Sequence, residues 1–302
     1  MSSAIRAYDL RKQFRHTPVL QGLDLDVPAG SIFALVGPNG AGKTTTIKIL
    51  MNIIAPTSGR SEVLGADSRR LRPRDFTRIG YVSENQEMPD WMTVGYFLEF
   101  LRPFYPTWDD GLAASLLRQF ELPAGRKLKH LSRGMRMKAS LASSLAYRPK
   151  LMVLDEPFTG LDALVRDELI ESLLARAEDT TIFISSHDLA EIESFASHIG
   201  YLDGGRLRFS EELETLRARF REMVVTVEGG TGGFACPGEM SGQWLQFECS
   251  GPVLRFIDTQ FDTERTPAEI RGRFPGVRDI AANGMPLRSI FVTLAKAGRA
   301  AA

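Results

Sequence analysis

Apolar residues along the chain fall into distinct patterns, and each pattern predicts an element. From Ile5 to Val27 they alternate in short runs around a turn at Pro18, which reads as a set of antiparallel strands. Ser31–Val36 (SIFALV), Leu151–Asp155 (LMVLD) and Thr181–Ser185 (TIFIS) are instead nearly unbroken apolar runs. Such runs belong to strands covered on both faces, as in a parallel sheet under helices. Helical patterns separate them, so the core is expected to be α/β.

Between the first two of these strands lies an insertion, residues 84–147. Its periodic stretches VGYFLEFLRPF, WDDGLAASLLRQFEL and MRMKASLASSLAYR read as amphipathic helices, hence a helical subdomain. Ser132, just before the last of them, suits a helix N-cap, and Gly134 allows a close backbone approach. After residue 220 the pattern changes. VVTVE, WLQFEC and VLRFID read as short strands, and TPAEIRGRF and PLRSIFVTLAKAG as helices. The expected division is residues 1–220 and a small α+β domain, 221–302. GGTGG at Gly229–Gly233 sits between strand patterns with no helix after it and reads as a loop.

Composition narrows the class. Of 302 residues, 43% are hydrophobic and 25% charged, which suits a globular chain with a proper core. Lys plus Arg and Asp plus Glu are 37 each, so no net field favours nucleic acid or anionic lipid. Cys236 and Cys249 are too few and too far apart for a disulfide framework or zinc knuckle, and reduced cysteines are expected. The start MSSAIRAYDL carries no apolar run of a signal peptide, and no stretch approaches the ~18–20 apolar residues of a membrane span.

The chemistry begins at Gly37–Thr44. Gly37, Pro38, Asn39, Gly40, Ala41, Gly42, Lys43 and Thr44 match G-x-x-x-x-G-K-[ST] in full, with a buried strand before and a helix after. Backbone N–H groups of such a loop form an anion nest, and the helix start adds partial positive charge. Gly40 and Gly42 leave room for phosphates, Lys43 can reach β- and γ-phosphate oxygens, and Thr44 can ligate Mg²⁺. LMVLDE delivers Asp155 to the C-terminal edge of a sheet strand, where it can hold Mg²⁺. Glu156 follows and can polarise an attacking water as general base. His187, after the third buried strand, can hydrogen-bond the γ-phosphate or that water.

In order, the chain carries GPNGAGKTT, LSRGM, LMVLDEP, GLD and SSHD. Over about residues 4–220 it resembles the nucleotide-binding subunit of an ABC transporter, and its remainder resembles the C-terminal extension of ABC-2-type exporter ATPases. The resemblance implies a P-loop NTPase core, a parallel sheet joined by an antiparallel β subdomain, with the helical insertion and the C-terminal domain attached. It implies ATP and Mg²⁺ as ligands, with Asn39 to Thr45 around the triphosphate and Thr45 at the α-phosphate. Phe14, a core-facing strand residue by its own pattern, would stack on adenine. Ser132 and Gly134 belong to the signature motif, and Asp162 to the loop that crosses to a second subunit. Two copies would pair head to tail, as a homodimer. ATP binding closes the pair and hydrolysis opens it, driving separate integral-membrane permease subunits, in the export direction, from the cytoplasmic face of the cell membrane.

The pattern departs from the family in two places. After the strand IGYVS the family has a glutamine at the Mg²⁺; here Glu84 stands in register and Gln86 follows. Glu84 is preferred for that role, and Gln86 would need a bulge. In LSRGM, Arg133 and Met135 replace the usual Gly and Gln. Met88, Trp91 and Met92, in NQEMPDWMTV, form either subdomain core or a groove for a short permease helix. A soluble ABC ATPase not coupled to transport is the alternative function. A GTPase or small kinase lacks support, having no Asn-Lys-x-Asp motif, and Glu156 disfavours a module that binds ATP without hydrolysing it.

Overall fold

The computed structural model describes residues 2–84, 86–228 and 243–300, with side chains in the last helix to residue 294. It divides into two compact units, Met1–Ser210 and Glu211–Ala302. The expected junction at 220 differs from this by one helix, Leu213–Arg219, which goes with the second unit.

In the first unit the order is β1 (Ser3–Phe14), β2 (Thr17–Pro28), β3 (Ile32–Val36), α1 (Lys43–Leu50), β4 (Ser58–Val63), β5 (Ala66–Asp67), α2 (Pro73–Phe76) and β6 (Ile79–Ser83). The helices α3 (Val94–Leu101), α4 (Asp110–Gln119) and α5 (Arg133–Leu145) follow. Then come β7 (Leu151–Asp155), α6 (Ala163–Leu174), β8 (Thr181–Ser186), α7 (Leu189–Ile192), β9 (His198–Asp203) and β10 (Arg206–Glu212).

A six-stranded sheet runs β10-β9-β3-β8-β7-β6, and its β9-β3-β8-β7-β6 pairs are parallel. Every residue of β3, β7 and β8 is buried, as unbroken apolar runs require. The register aligns the strand ends: Val36 with Ser186, Ser185 with Asp155, and Asp155 with Ser83. One edge of the sheet therefore collects the chemistry-bearing residues. A second sheet, β2-β1-β4-β5, is antiparallel. Ile5, Leu10, Leu23 and Val63 from it share one core with Ile47 and Leu50 of α1 and Phe33, Val153 and Phe183 of the parallel sheet.

The first hairpin turns at Arg15–His16, not at Pro18. Pro18 is already paired with Gln13 inside β2, and Arg15 takes the left-handed backbone of the turn at φ 52°. Phe14 ends β1 with 46% of its surface exposed, which corrects its reading as a core-facing strand residue. In the helical insertion, Met88 and Met92 are buried while Trp91 is 63% exposed, so the stretch divides between subdomain core and surface.

The second unit contains α8 (Leu213–Arg219), β11 (Arg221–Val227), β12 (Trp244–Ser250), β13 (Val253–Asp258), α9 (Arg265–Arg273), β14 (Val277–Gly284) and α10 (Leu287–Ala300). Its sheet is antiparallel in the order β12-β13-β11-β14, over a core of Met223, Val225, Trp244, Phe256, Ile270 and Phe274. Cys249 is disulfide-bonded, contrary to the expectation of reduced cysteines. Cys236 and the Gly229–Gly233 run lie outside the described residues. Among the described residues, no helix is long and apolar enough to cross a membrane.

Phe183 of β8 stacks on Phe33 of β3 with ring centroids 5.8 Å apart, both fully buried. Phe183→Ala is expected to lower the unfolding free energy by about 3–5 kcal/mol, checked by urea denaturation of the purified chain.

Candidate functional site

The turn from β3 into α1 sets the site. Gly42 precedes α1 with φ 109°, in the left-handed region, and a Cβ there would lie 2.7 Å from Leu20 Cδ2. Only glycine fits both conditions. No side chain caps α1, so its first-turn N–H groups border the adjoining cavity. That cavity holds about 550 Å³ and is lined by Val19, Asn39, Gly40, Gly42, Lys43, Thr44, Thr45, Glu84, Glu156, Thr159 and His187. A second recess of about 300 Å³ adjoins it beside Thr44, Lys48, Glu84, Gln86 and Asp155.

Lys43, only 5% exposed, donates to the Gly37 carbonyl at 2.7 Å and the Pro38 carbonyl at 3.3 Å. Its ammonium also lies 3.1 Å from Glu156 Oε1. Gly37 and Pro38 thus serve the lysine, and with Ala41 they do not line the cavity. His187 Nδ1 is 2.7 Å from Glu156 Oε2, and the Thr159 hydroxyl donates to the same oxygen at 3.3 Å. A hydrogen bond to a carboxylate requires the proton on Nδ1, which leaves Nε2 as the acceptor of the neutral ring. Burial pushes the Glu156 carboxyl up, but the His187 hydrogen bond and the Lys43 ammonium together outweigh it and leave it below its ordinary value. Glu156 is therefore a carboxylate near neutral pH. Its backbone is left-handed, φ 51°, a conformation that costs a non-glycine residue about 1 kcal/mol or more.

Asp155, one residue earlier, is hydrogen-bonded by hydroxyls, with Lys48 lining the same recess. Ser185 donates to its Oδ1 at 2.7 Å and Thr44 to the same atom at 3.0 Å. Burial raises its pKa; those hydrogen bonds pull it down, the Glu156 charge pushes it up, and the net is upward. Ser185 also accepts the Glu156 N–H at 3.0 Å, so one hydroxyl holds both acidic residues. Sequence reasoning passed over Ser185 as part of a buried strand. Its signal, a hydroxyl at the end of an apolar run, gains meaning only from the register that sets it beside Asp155.

The structure thus brings Lys43, Thr44, Thr45, Asn39, Gly40, Gly42, Glu84, Glu156 and His187 around one cavity, with Asp155 directly behind Thr44. Phe14, Ser132, Gly134 and Asp162 are not among the lining residues of either recess. Ser132 caps α5, its hydroxyl accepting the Met135 N–H at 3.2 Å. Asp162 caps α6 in the same way, from Val165 N–H at 2.9 Å. A Cβ on Gly134 would meet Val165 Cγ1 at 3.2 Å, so this glycine lets α5 approach α6. Of the two candidates after β6, Glu84 lines the phosphate cavity, while Gln86 accepts a hydrogen bond from Ser140 at 2.9 Å.

Ser185→Ala should lower stability by about 1–3 kcal/mol, because it strips a buried carboxylate and a backbone N–H of one shared partner. Chemical denaturation compared with Ser185→Thr, which keeps the hydroxyl, checks this.

The ABC transporter family model matches residues 20–159. The ABC transporter ATP-binding protein YtrB of Bacillus subtilis (strain 168) is 32% identical over 218 residues, covering 72% of this chain and 74% of the relative. The bacitracin transport ATP-binding protein BcrA of Bacillus licheniformis is 33% identical over 229 residues, 74% of each chain. Among solved structures, an ATP-binding subunit of an ABC transporter superposes with a TM-score of 0.66 at 26% identity, covering 72% of this chain and 92% of that one. With a phosphate loop, an acidic strand end and a signature helix built as above, the chain belongs to the ATP-binding subunits of the ABC transporter family and is an ATPase.

Proposed function

We propose that two copies of this chain pair head to tail around two ATP molecules, and that closing and reopening the pair drives export through separate membrane permease subunits. The observation that carries the reading is the Glu156 carboxylate, held charged by His187 and Lys43 in the wall of the phosphate cavity. Lys43 is suited to the β- and γ-phosphate oxygens and Thr45 to the α-phosphate. Glu156 accepts a hydrogen bond from the attacking water and orients it, and His187 keeps the carboxylate aimed. The Thr44 hydroxyl and the Asp155 carboxylate are hard oxygen donors of the kind Mg²⁺ takes, and Glu84 lines the same cavity. Mg²⁺, when bound, offsets the charge on the β- and γ-phosphate oxygens. Phe14, exposed at the end of β1, is available to an adenine ring.

The head-to-tail pairing is supported by what the cavity lacks. Ser132 is exposed at the start of α5 and does not line the cavity of its own chain. A helix start with a hydroxyl and free N–H groups is a phosphate-binding end, and a second copy supplies the phosphate. Asp162, at the neighbouring start of α6, belongs to the same face through Gly134 and Val165.

The cavity reading has a direct test. Glu156→Gln should still bind ATP but lose turnover by about 10²- to 10⁴-fold. It should accumulate as an ATP-dependent dimer in light scattering; unchanged turnover would remove Glu156 from the mechanism.

For the permease, the proposed contact is the exposed pair Trp91 and Tyr96 of the helical insertion, ring centroids 5.8 Å apart. Trp91→Ala is expected to abolish transport in reconstituted vesicles while the isolated subunit hydrolyses ATP at its original rate. A parallel loss of thermal stability would instead mark Trp91 as a packing residue.

A further inference from the structure

Arg133 stands directly after the Ser132 cap, and its guanidinium pairs with the Glu84 carboxylate, 49 residues away in sequence. The partners belong to different parts of the first unit. Glu84 follows β6, and its backbone N–H donates to the Asp155 carbonyl at 3.0 Å, so it is fixed to the acidic strand end. Its side chain lines the phosphate cavity together with Lys43, Thr44 and Glu156. Arg133 opens the helix that carries the signature residues. Its guanidinium also covers Gly160, where a Cβ would lie 2.7 Å from Nη1, and Gly160 leads into Asp162. One side chain therefore touches the cavity wall and the loop before α6.

The pair is the end of a longer seam. Arg136 donates to Asp90 at 2.8 Å and Ser140 to Gln86 at 2.9 Å. Positions 133, 136 and 140 share one face of a helix. That face binds the chain after β6 over the first two turns of α5, and Arg133–Glu84 is the contact at the cavity end.

We infer that Arg133 is a positioning residue whose ion pair with Glu84 links the phosphate cavity of one chain to the helix start that serves the other chain's nucleotide. This rests on the head-to-tail reading above. A carboxylate shared between two cations holds each less firmly. When Glu84 is drawn toward a cation at Thr44 and Asp155, its hold on Arg133 slackens, and the start of α5 is freed to settle on the partner's phosphates. Paired with Arg133, as in this structure, the carboxylate at the cavity wall has its charge already engaged. Occupation of one site thereby alters the other, the definition of coupling between sites. Both side chains are partly exposed, so the effect is modest, on the order of a two- to fivefold change in an equilibrium.

The test uses the full chain with Mg²⁺ and ATP. Turnover is followed against ATP concentration, and amide hydrogen exchange is followed over residues 132–137. The wild type is expected to dimerise with ATP and to respond cooperatively. Arg133→Met should lower the Hill coefficient and speed the exchange about two- to fivefold at an unchanged thermal midpoint. Arg133→Lys should retain cooperativity. Glu84→Gln added to Arg133→Met should cost no further cooperativity, since the pair is already broken. Arg133→Met with wild-type cooperativity, or a double variant whose losses add, would overturn the inference while leaving the head-to-tail reading intact. A wild type that stays monomeric with ATP and responds without cooperativity would overturn both.

Discussion

Everything at the functional edge depends on one buried carboxylate, Asp155, whose hydrogen-bond partners are hydroxyls. Asp155 ends β7 inside the sheet, and taking its charge out of water is costly unless hydrogen bonds replace the lost solvent. Two hydroxyls do so: Thr44 from the first turn of α1 and Ser185 from the neighbouring strand. Satisfying this group therefore fixes the phosphate loop against β7 and β8. The same Ser185 receives the Glu156 N–H, so the position of the carboxylate proposed to activate water follows from the solution found for Asp155. Structure and chemistry are joined here at single atoms, which is why a hydroxyl in a buried strand matters as much as the charged residues it supports.

The arrangement also sorts charge. Asp155 and Glu156 are adjacent in sequence, yet their environments push them in opposite directions. Asp155 sees burial and a neighbouring negative charge. Glu156 sees Lys43 and His187. Two carboxylates with different proton affinities can take different tasks, one with a metal cation and one with water. The peptide between them turns sharply out of the strand, into the left-handed backbone of Glu156. Without that turn, successive strand side chains would point to opposite faces of the sheet, and the second carboxylate would be lost from the cavity.

Much of the fold was legible because its strongest signals are local. The unbroken runs of β3, β7 and β8 could only be covered strands, and the periodic stretches of the insertion became α3, α4 and α5. The phosphate loop was legible because glycine spacing encodes backbone geometry directly. Other features depend on pairings across the chain. The turn at Arg15 was hidden because proline is the louder signal, yet Pro18 sits within β2. Strand β14, with its Ala and Gly, carries no clear alternation and is made by its pairing with β11. Ser185 acquires its role from register, and Arg133 from a partner 49 residues away. The exposure of Phe14 is not written in its own pattern, because alternation marks faces, not where a strand runs out into solvent.

The strained peptide at Glu156 has a consequence for how such a chain ages. A residue held in left-handed backbone is a standing tension: the fold would relax if glycine or asparagine stood there. If Glu156 orients the attacking water as proposed, selection for hydrolysis would keep a glutamate in that position against the preference of the backbone. A lineage that kept this protein for binding alone would feel no such restraint. Drift would begin at residue 156, and the loss would register first as a gain in stability.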